Sequence, residues 1–250
     1  MKIQLLLLLF LAALTPNKGF SKTIVIAVID TGIDKANPKL CKEGHKSFVD
    51  NTPLIDEQGH GTHIAGIIKQ YAGNGDYCIV SIKWWAIGVD KPQLVQNMAK
   101  AIRYANNINV DFINISGGGA EPDELERNEI ERALDNKITV VVASGNESDN
   151  LDVSCNFYPA CYDSRLVVVG NLRRADKNRN IAANAEPNKQ HNSNYGKYVN
   201  RWEVGTDVMS DLPGGRVGNM TGTSQAAAIA TGKLIKAKLT LRIQPQRRVK

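Results

Sequence analysis

Apolar, β-branched runs alternate with amphipathic stretches along this 250-residue chain, and the alternation restricts the folds open to it. Runs without polar interruption are typical of strands buried on both faces, as in parallel sheets. We predict strands over Ile24–Ile29, Cys78–Trp84, Val110–Ile115, Ile138–Ala143 and Leu166–Val169. We predict helices over Gly61–Tyr71, Leu94–Asn106, Pro122–Asn136 and Ser224–Lys236. The pattern indicates a three-layer α/β domain, a mainly parallel sheet flanked by helices, with functional groups beyond the carboxyl ends of the strands.

The first 21 residues differ from the rest of the chain. Met1 and Lys2 give a short positive start, residues 5–14 are an apolar run, and Pro16 interrupts it. Ten helical residues span only about 15 Å, which is too short for a bilayer. We predict a secretory signal peptide over residues 1–21, cleaved between Ala13 and Ser21; an uncleaved anchor and a buried strand are the alternatives. A domain over residues 22–240 and a basic tail over 241–250 would follow, in a protein that is secreted or periplasmic and leaves the membrane after cleavage.

The four cysteines are Cys41, Cys78, Cys155 and Cys161. Export permits disulfides, and four cysteines allow three pairings. Because Cys155 and Cys161 are close together in a loop-like stretch, we favour the pairing 155–161 with 41–78. Four free thiols in a cytosolic protein are the alternative, and zinc is disfavoured because no Cys-x-x-Cys spacing occurs.

The formal net charge is +6, and much of the excess is local. Basic residues cluster at 173–179 and in the tail, and a basic surface can attract nucleic acid or acidic lipid. No aromatic residues interleave with these clusters, as stacking on bases would require. We therefore predict solvated basic surfaces and no nucleic-acid partner.

An aspartate and a histidine stand where a site in such a sheet is expected. Asp30 directly follows the first strand, and a carboxylate there can fix the tautomer of a histidine. His60, between two glycines, enters a helix whose positive end disfavours imidazolium, so we expect a neutral ring ready to act as a base. His60 and His63 are also spaced to share a metal, but the adjacent glutamate of a zinc hydrolase is absent. The sequence Asp-Thr-Gly, which begins at Asp30, also occurs around aspartic protease carboxylates. Those proteins need a second such aspartate, and none appears in this chain.

An asparagine and a serine complete the set. Asn146 ends Ala-Ser-Gly-Asn just past an apolar strand, where its amide can donate to a developing oxyanion. Ser224 starts an Ala-rich helix after a turn of small residues, and its own N–H then points outward with the helix dipole behind it. A turn asparagine and a helix-capping serine are the structural alternatives for the two residues taken singly.

Taken together, the windows Asp-Thr-Gly, His-Gly-Thr-His, Ala-Ser-Gly-Asn and Gly-Thr-Ser-Gln-Ala-Ala resemble those of the subtilisin-like serine proteases, in the same order. The resemblance extends from about residue 24 to residue 236. It implies a subtilisin-like fold and a serine endopeptidase acting on peptides or proteins through an acyl-enzyme on Ser224. In that family's terms Asp30 orients the general base His60, and Asn146 holds the oxyanion. A monomer is implied by the same analogy.

The resemblance also assigns substrate-binding residues. Ser116, Gly117 and Gly118 match the strand that pairs with substrate backbone and borders the S1 pocket. Phe157 matches a glycine at the base of that pocket. A phenyl ring there implies a small residue at P1, the substrate position before the scissile bond.

Besides Phe157, three features depart from the family pattern. Few residues separate Leu14 from the first strand, where the family usually carries a propeptide, and Ala228 replaces a proline four residues after the nucleophile. Lys39 replaces an aspartate of the family's strong calcium site. We therefore predict no metal site and no cofactor, leaving weak calcium binding open. The first two departures favour an alternative function, a catalytically impaired binding or regulatory module on the same fold.

Overall fold

A computed structural model describes residues 22–172 and 192–243, which build one seven-stranded sheet and a separate two-stranded hairpin. The sheet order is β2-β3-β1-β4-β5-β6-β7, and every pairing in it is parallel. Its strands are β1 (Ile24–Asp30), β2 (Lys46–Ser47), β3 (Tyr77–Lys83), β4 (Phe112–Ile115), β5 (Thr139–Ala143), β6 (Val167–Asn171) and β7 (Arg201–Glu203). The predicted signal peptide, the basic cluster at 173–179 and residues 244–250 of the predicted tail lie outside the described residues.

Helices cover both faces of the sheet. They are α1 (His60–Ala72), α2 (Lys91–Asn107), α3 (Glu124–Asp135) and α4 (Thr223–Ile243). Alternate residues of β1 point to opposite faces: Ile29 packs in the core shared with α2 and α3, and Val28 packs in the core shared with α1 and α4. Burial on both faces explains the uninterrupted apolar strands, and the predicted three-layer α/β fold is confirmed.

Helix α1 exceeds its predicted range by one residue at each end, and helices α2 and α4 are extended by more. Helix α2 begins three residues early because Asp90 caps it, accepting a hydrogen bond from the Gln93 N–H at 2.9 Å. Helix α4 runs to Ile243, three residues into the segment that we assigned to the tail. The extra turns are held by long-range contacts: Leu239 lies directly against Gly75, and Lys238 pairs with Asp111 at 2.7 Å.

An antiparallel hairpin that was not predicted from the sequence is formed by β8 (Val208–Leu212) and β9 (Arg216–Met220). Its strands carry exposed apolar side chains, Met209 and Val217, and lack the continuous apolar run of the buried strands. The hairpin packs on α1, where the Ser210 hydroxyl donates to the His63 carbonyl oxygen at 2.8 Å.

All four cysteines are paired. The disulfides join Cys41 to Cys78 and Cys155 to Cys161, as preferred from the sequence, so the alternatives of free thiols and of a zinc site are wrong. In the described ranges, the helices all fall short of the length and apolar character needed to cross a membrane.

Candidate active site

Asp30 and His60 form a hydrogen-bonded pair at the carboxyl edge of the sheet. Asp30 is the last residue of β1 and 3% exposed, and His60 is the first residue of α1. The His60 Nδ1 lies 2.8 Å from the Asp30 Oδ1, which also accepts the Thr31 N–H at 2.8 Å. A nitrogen this close to a carboxylate carries the proton, so Nε2 is the ring atom left free to take another.

A second buried acid, Asp56, fixes the approach of α1 to β1. Its carboxylate accepts four hydrogen bonds: from the Gly59 N–H and the Thr31 hydroxyl at 2.8 Å each, and from the Thr62 N–H at 2.8 Å and hydroxyl at 2.6 Å. Asp56 is not among the site residues predicted from the sequence. The available signal was an aspartate just before a helix start, a position from which it can satisfy free helical N–H groups.

Glycine is required where α1 meets β1. A Cβ on Gly61 would lie 2.1 Å from the Gly32 carbonyl oxygen and 3.2 Å from the Asp30 Oδ1. A side chain at position 61 would therefore push His60 away from Asp30.

The pKa of His60 lies above its ordinary value. Burial lowers this pKa, but the Asp30 carboxylate raises it through charge and hydrogen bonding, and Asp56 raises it further. The helix start was expected to favour the neutral ring; instead the two carboxylates outweigh that effect. His60 thus holds a proton more readily than a free histidine.

Ser224 lies at the same edge, one strand away from Asp30. Strands β1 and β4 are paired through Ile29 and Ile115, so Asp30 and Ser116 are the next residues along adjacent strands. The Ser224 hydroxyl, in the first turn of α4, donates to the Ser116 carbonyl oxygen at 2.8 Å, and the Ser116 hydroxyl donates to the Ser224 carbonyl oxygen at 3.2 Å. The hydrogen bonds of the described residues include none between Ser224 and His60.

Asn146 is tied to the start of α4. Its Oδ1 accepts the Thr223 N–H at 3.0 Å, which leaves Nδ2 as the group able to donate. The loop that presents it is organised by Asn194, which is fully buried and was not selected from the sequence. The Asn194 side chain donates to the Ser144 carbonyl oxygen at 2.9 Å and accepts the N–H of Glu147 at 3.0 Å.

Phe157 fills the space between the segments that follow β4 and β5. Its ring atoms lie 3.0 Å from where a Cβ on Gly118 would stand and 2.8 Å from one on Gly145. The Trp84 ring lies over the neighbouring Gly117. These contacts bring Phe157 next to Gly118, both of which the sequence predicts to bind substrate.

His63 does not join His60. It is fully buried in α1, its Nε2 lies 3.1 Å from the Gly218 carbonyl oxygen, and burial lowers its pKa. No group of three or more His, Cys, Asp or Glu side chains within the described ranges is arranged to hold a metal ion. Weak calcium binding stays a prediction.

Comparison with known proteins agrees with this geometry. The sequence model of the Subtilase family matches residues 21–241. The major intracellular serine protease of Bacillus subtilis (strain 168) is 30% identical over 230 residues, covering 85% of this chain and 67% of the relative. Subtilisin E from the same strain is 31% identical over 226 residues, covering 86% of this chain and 56% of the relative. The chain therefore spans about half to two thirds of the length of these relatives.

Solved structures show the same fold. The crystal structure of a lanthipeptide protease superposes with a TM-score of 0.75 at 22% identity, covering 90% of this chain and 75% of the other. A cold-adapted subtilisin-like serine proteinase superposes with a TM-score of 0.68 at 24% identity, covering 88% and 76%. With the family match spanning nearly all of the described residues, the chain belongs to the subtilase family of serine peptidases.

Proposed function

We propose that this chain is a serine endopeptidase that uses Ser224 as nucleophile, His60 as general base and Asp30 as the group that orients His60. The observation that carries the proposal is the 2.8 Å contact between Asp30 and His60, one strand away from the serine at the start of α4. Family membership and the relatives named above support the same activity.

The first chemical step needs a change of hydrogen bond at Ser224. Its hydroxyl donates to the Ser116 carbonyl oxygen in the resting arrangement, and it must turn to the His60 Nε2 before the proton can move. As the Ser224 oxygen attacks the scissile carbonyl carbon, Nε2 takes the hydroxyl proton, and Asp30 stabilises the imidazolium that forms.

The oxyanion then needs donors. The Asn146 Nδ2 and the Ser224 N–H at the start of α4 supply them, with the helix dipole behind the latter. His60 passes its proton to the leaving amine, the acyl-enzyme remains on Ser224, and water repeats the sequence to release the second product.

The specificity at P1 follows from Phe157. Because its ring occupies the space between Gly118 and Gly145, we infer that only a small P1 side chain fits there. Cleavage of a peptide library should concentrate after Ala, Gly and Ser, and cleavage mainly after large aromatic residues would contradict this.

We infer that the protein works outside the cytoplasm. Two disulfides support this, since such bonds persist in oxidising compartments, and the apolar run at residues 5–14 supports export. Cell fractionation of the native host checks it. The protein recovered only from the cytoplasm would contradict export.

A fluorophosphonate probe tests the catalytic assignment. Wild-type protein should be labelled covalently, and Ser224→Ala should not. Folded wild-type protein that resists labelling would favour the impaired binding module, and hydrolysis that survives Ser224→Ala and is lost in EDTA would favour a metal mechanism.

A further inference from the structure

A cavity of about 340 Å³ opens beside the substrate-binding segment. Its walls are aromatic and aliphatic, with the backbone of two glycines on one side; they are Trp84, Trp85, Tyr158, Leu94, Val95, Met98, Gly118 and Gly119. Phe157, which closes the P1 space, is not among the lining residues. The cavity therefore accommodates a different part of a bound peptide.

A buried carboxylate lines the mainly apolar interior of this cavity. Glu126, in the first turn of α3, is 6% exposed. The Tyr162 hydroxyl donates to its Oε2 at 3.1 Å, whereas no described residue donates to Oε1. Within the described ranges no cation forms an ion pair with it, and one carboxylate oxygen has no partner.

The charged neighbours of Glu126 do not neutralise it. Asp123 is an acid on the same helix turn, and the Arg127 guanidinium stacks on the Tyr162 ring at 5.2 Å. At the exposed rim, Lys91 and Glu121 offset each other in charge. Burial raises the pKa of Glu126 to about 7; the Tyr162 hydroxyl lowers it and Asp123 raises it.

We propose that this cavity binds a lysine or arginine side chain of the peptide substrate, with Glu126 as its counter-charge. Apolar walls suit the methylene stem of such a side chain, and tryptophan faces attract its cation. The unpartnered Oε1 of Glu126 supplies the acceptor for the charged tip. Glu126 is then a specificity-determining residue, and this inference rests on the proposed peptidase function.

The position of that basic residue is bounded by the backbone. Gly118 and Gly119 follow Ser116 by two and three residues, a span of at most about 10 Å in extended chain. The basic residue therefore lies within about three residues of the scissile bond and is not P1. The competing occupant is an uncharged apolar side chain lying against a protonated Glu126.

Peptide affinities distinguish a basic from an uncharged occupant of the cavity without requiring catalysis. Fluorescent hexa-alanine peptides carrying one lysine or one norleucine at each position in turn are titrated into the Ser224→Ala protein by fluorescence anisotropy at pH 8. At one position lysine should bind about 10- to 100-fold more tightly than norleucine. Adding Glu126→Gln should bring the two peptides within about 2-fold of each other, whereas Glu124→Gln, on the exposed side of the same helix, should keep the difference.

A pH series on Ser224→Ala alone covers the case in which Glu126→Gln does not fold. The advantage of lysine should shrink at least fivefold from pH 8 to pH 5, as Glu126 takes up a proton. The proposal is overturned if norleucine binds as well as lysine at every position, if the preference survives Glu126→Gln, or if the ratio is flat with pH. Because these titrations need no catalysis, they separate failure of this inference from failure of fluorophosphonate labelling, which bears on the peptidase function.

Discussion

The two ends of the cleft hold buried carboxylates in opposite ways. At the catalytic end, a network of Thr31, Gly59 and Thr62 donates four hydrogen bonds to the Asp56 carboxylate. At the cavity, the Glu126 carboxylate accepts one hydrogen bond from the residues that the structure describes, from Tyr162. A carboxylate surrounded by donors fixes the structure around it, whereas one with a single donor retains the capacity to bind a ligand.

We expect the largest loss of activity from a substitution of Asp30, which contacts the proposed general base His60. Asp30→Asn should lower kcat by about 10⁴-fold, because an amide neither holds the His60 tautomer nor stabilises the imidazolium. Activity needs neutral His60 and rises with pH through its pKa, so the wild-type profile of kcat/KM should rise at a pH above about 6.5, and the midpoint should fall in Asp30→Asn. Peptide hydrolysis from pH 5 to 9 measures both, with Asp34→Asn as the control. An unchanged midpoint would mean that Asp30 does not influence the pKa of His60.

Removing Asp56 should test whether the network is structural. Asp56→Ala leaves buried donors of Thr31, Thr62 and Gly59 unpaired, and we expect the free energy of unfolding to fall by about 3 kcal/mol. Urea denaturation measures this, and the exposed neighbour Glu57→Ala is the control. A loss equal to that of the control would mean that water replaces the carboxylate fully.

Whereas Asp56→Ala should lower the free energy of unfolding, Glu126→Gln should raise it at alkaline pH. The pKa of Glu126 is raised in the folded state, so the charged form destabilises the fold, and this cost appears as pH rises from the unfolded value of about 4.3 through 7. At pH 8 Glu126→Gln should be more stable than wild type by about 2 kcal/mol, and at pH 4 the two should match. Thermal unfolding across this range checks it. If the variant is less stable than wild type at pH 8, the Glu126 carboxylate stabilises the fold, as Asp56 is expected to do.

The smallest effect is expected on P1 specificity, through the Phe157 ring. Phe157→Gly removes the ring that fills the space beside Gly118, so cleavage after phenylalanine relative to alanine should rise about 10-fold. Paired fluorogenic peptides measure the ratio, and Asn156→Gly is the matched control. If the ratio stays constant, the ring does not limit P1.

The catalytic edge could be predicted because its residues follow uninterrupted strands. Asp30, Asn146 and Ser116 each come directly or closely after a buried run, and parallel strands bring such positions together. The disulfide pairing followed from the short separation of Cys155 and Cys161.

The cavity could not be predicted, for a physical reason. Glu126 stands in the first turn of a helix, a position at which acidic residues are usually exposed and favoured by the dipole. It lines the cavity together with Trp84 and Met98 and accepts a hydrogen bond from Tyr162, and all three are distant from it in sequence. The roles of Asp56 and Asn194 likewise depend on contacts up to 50 residues away along the chain.

The course of α4 has a consequence for protein engineering. The helix has 21 residues, about 32 Å, so its far end lies well away from Ser224. There the Arg242 guanidinium donates to the Lys22 carbonyl oxygen at 2.6 Å, which brings the two ends of the described domain together beside the amino end of β1. A partner fused at residue 22 or residue 243 would begin about 20 Å from the catalytic edge, the length of β1, and would leave the cleft open. The same proximity makes a circular permutant that joins these two points with a short linker a practical design.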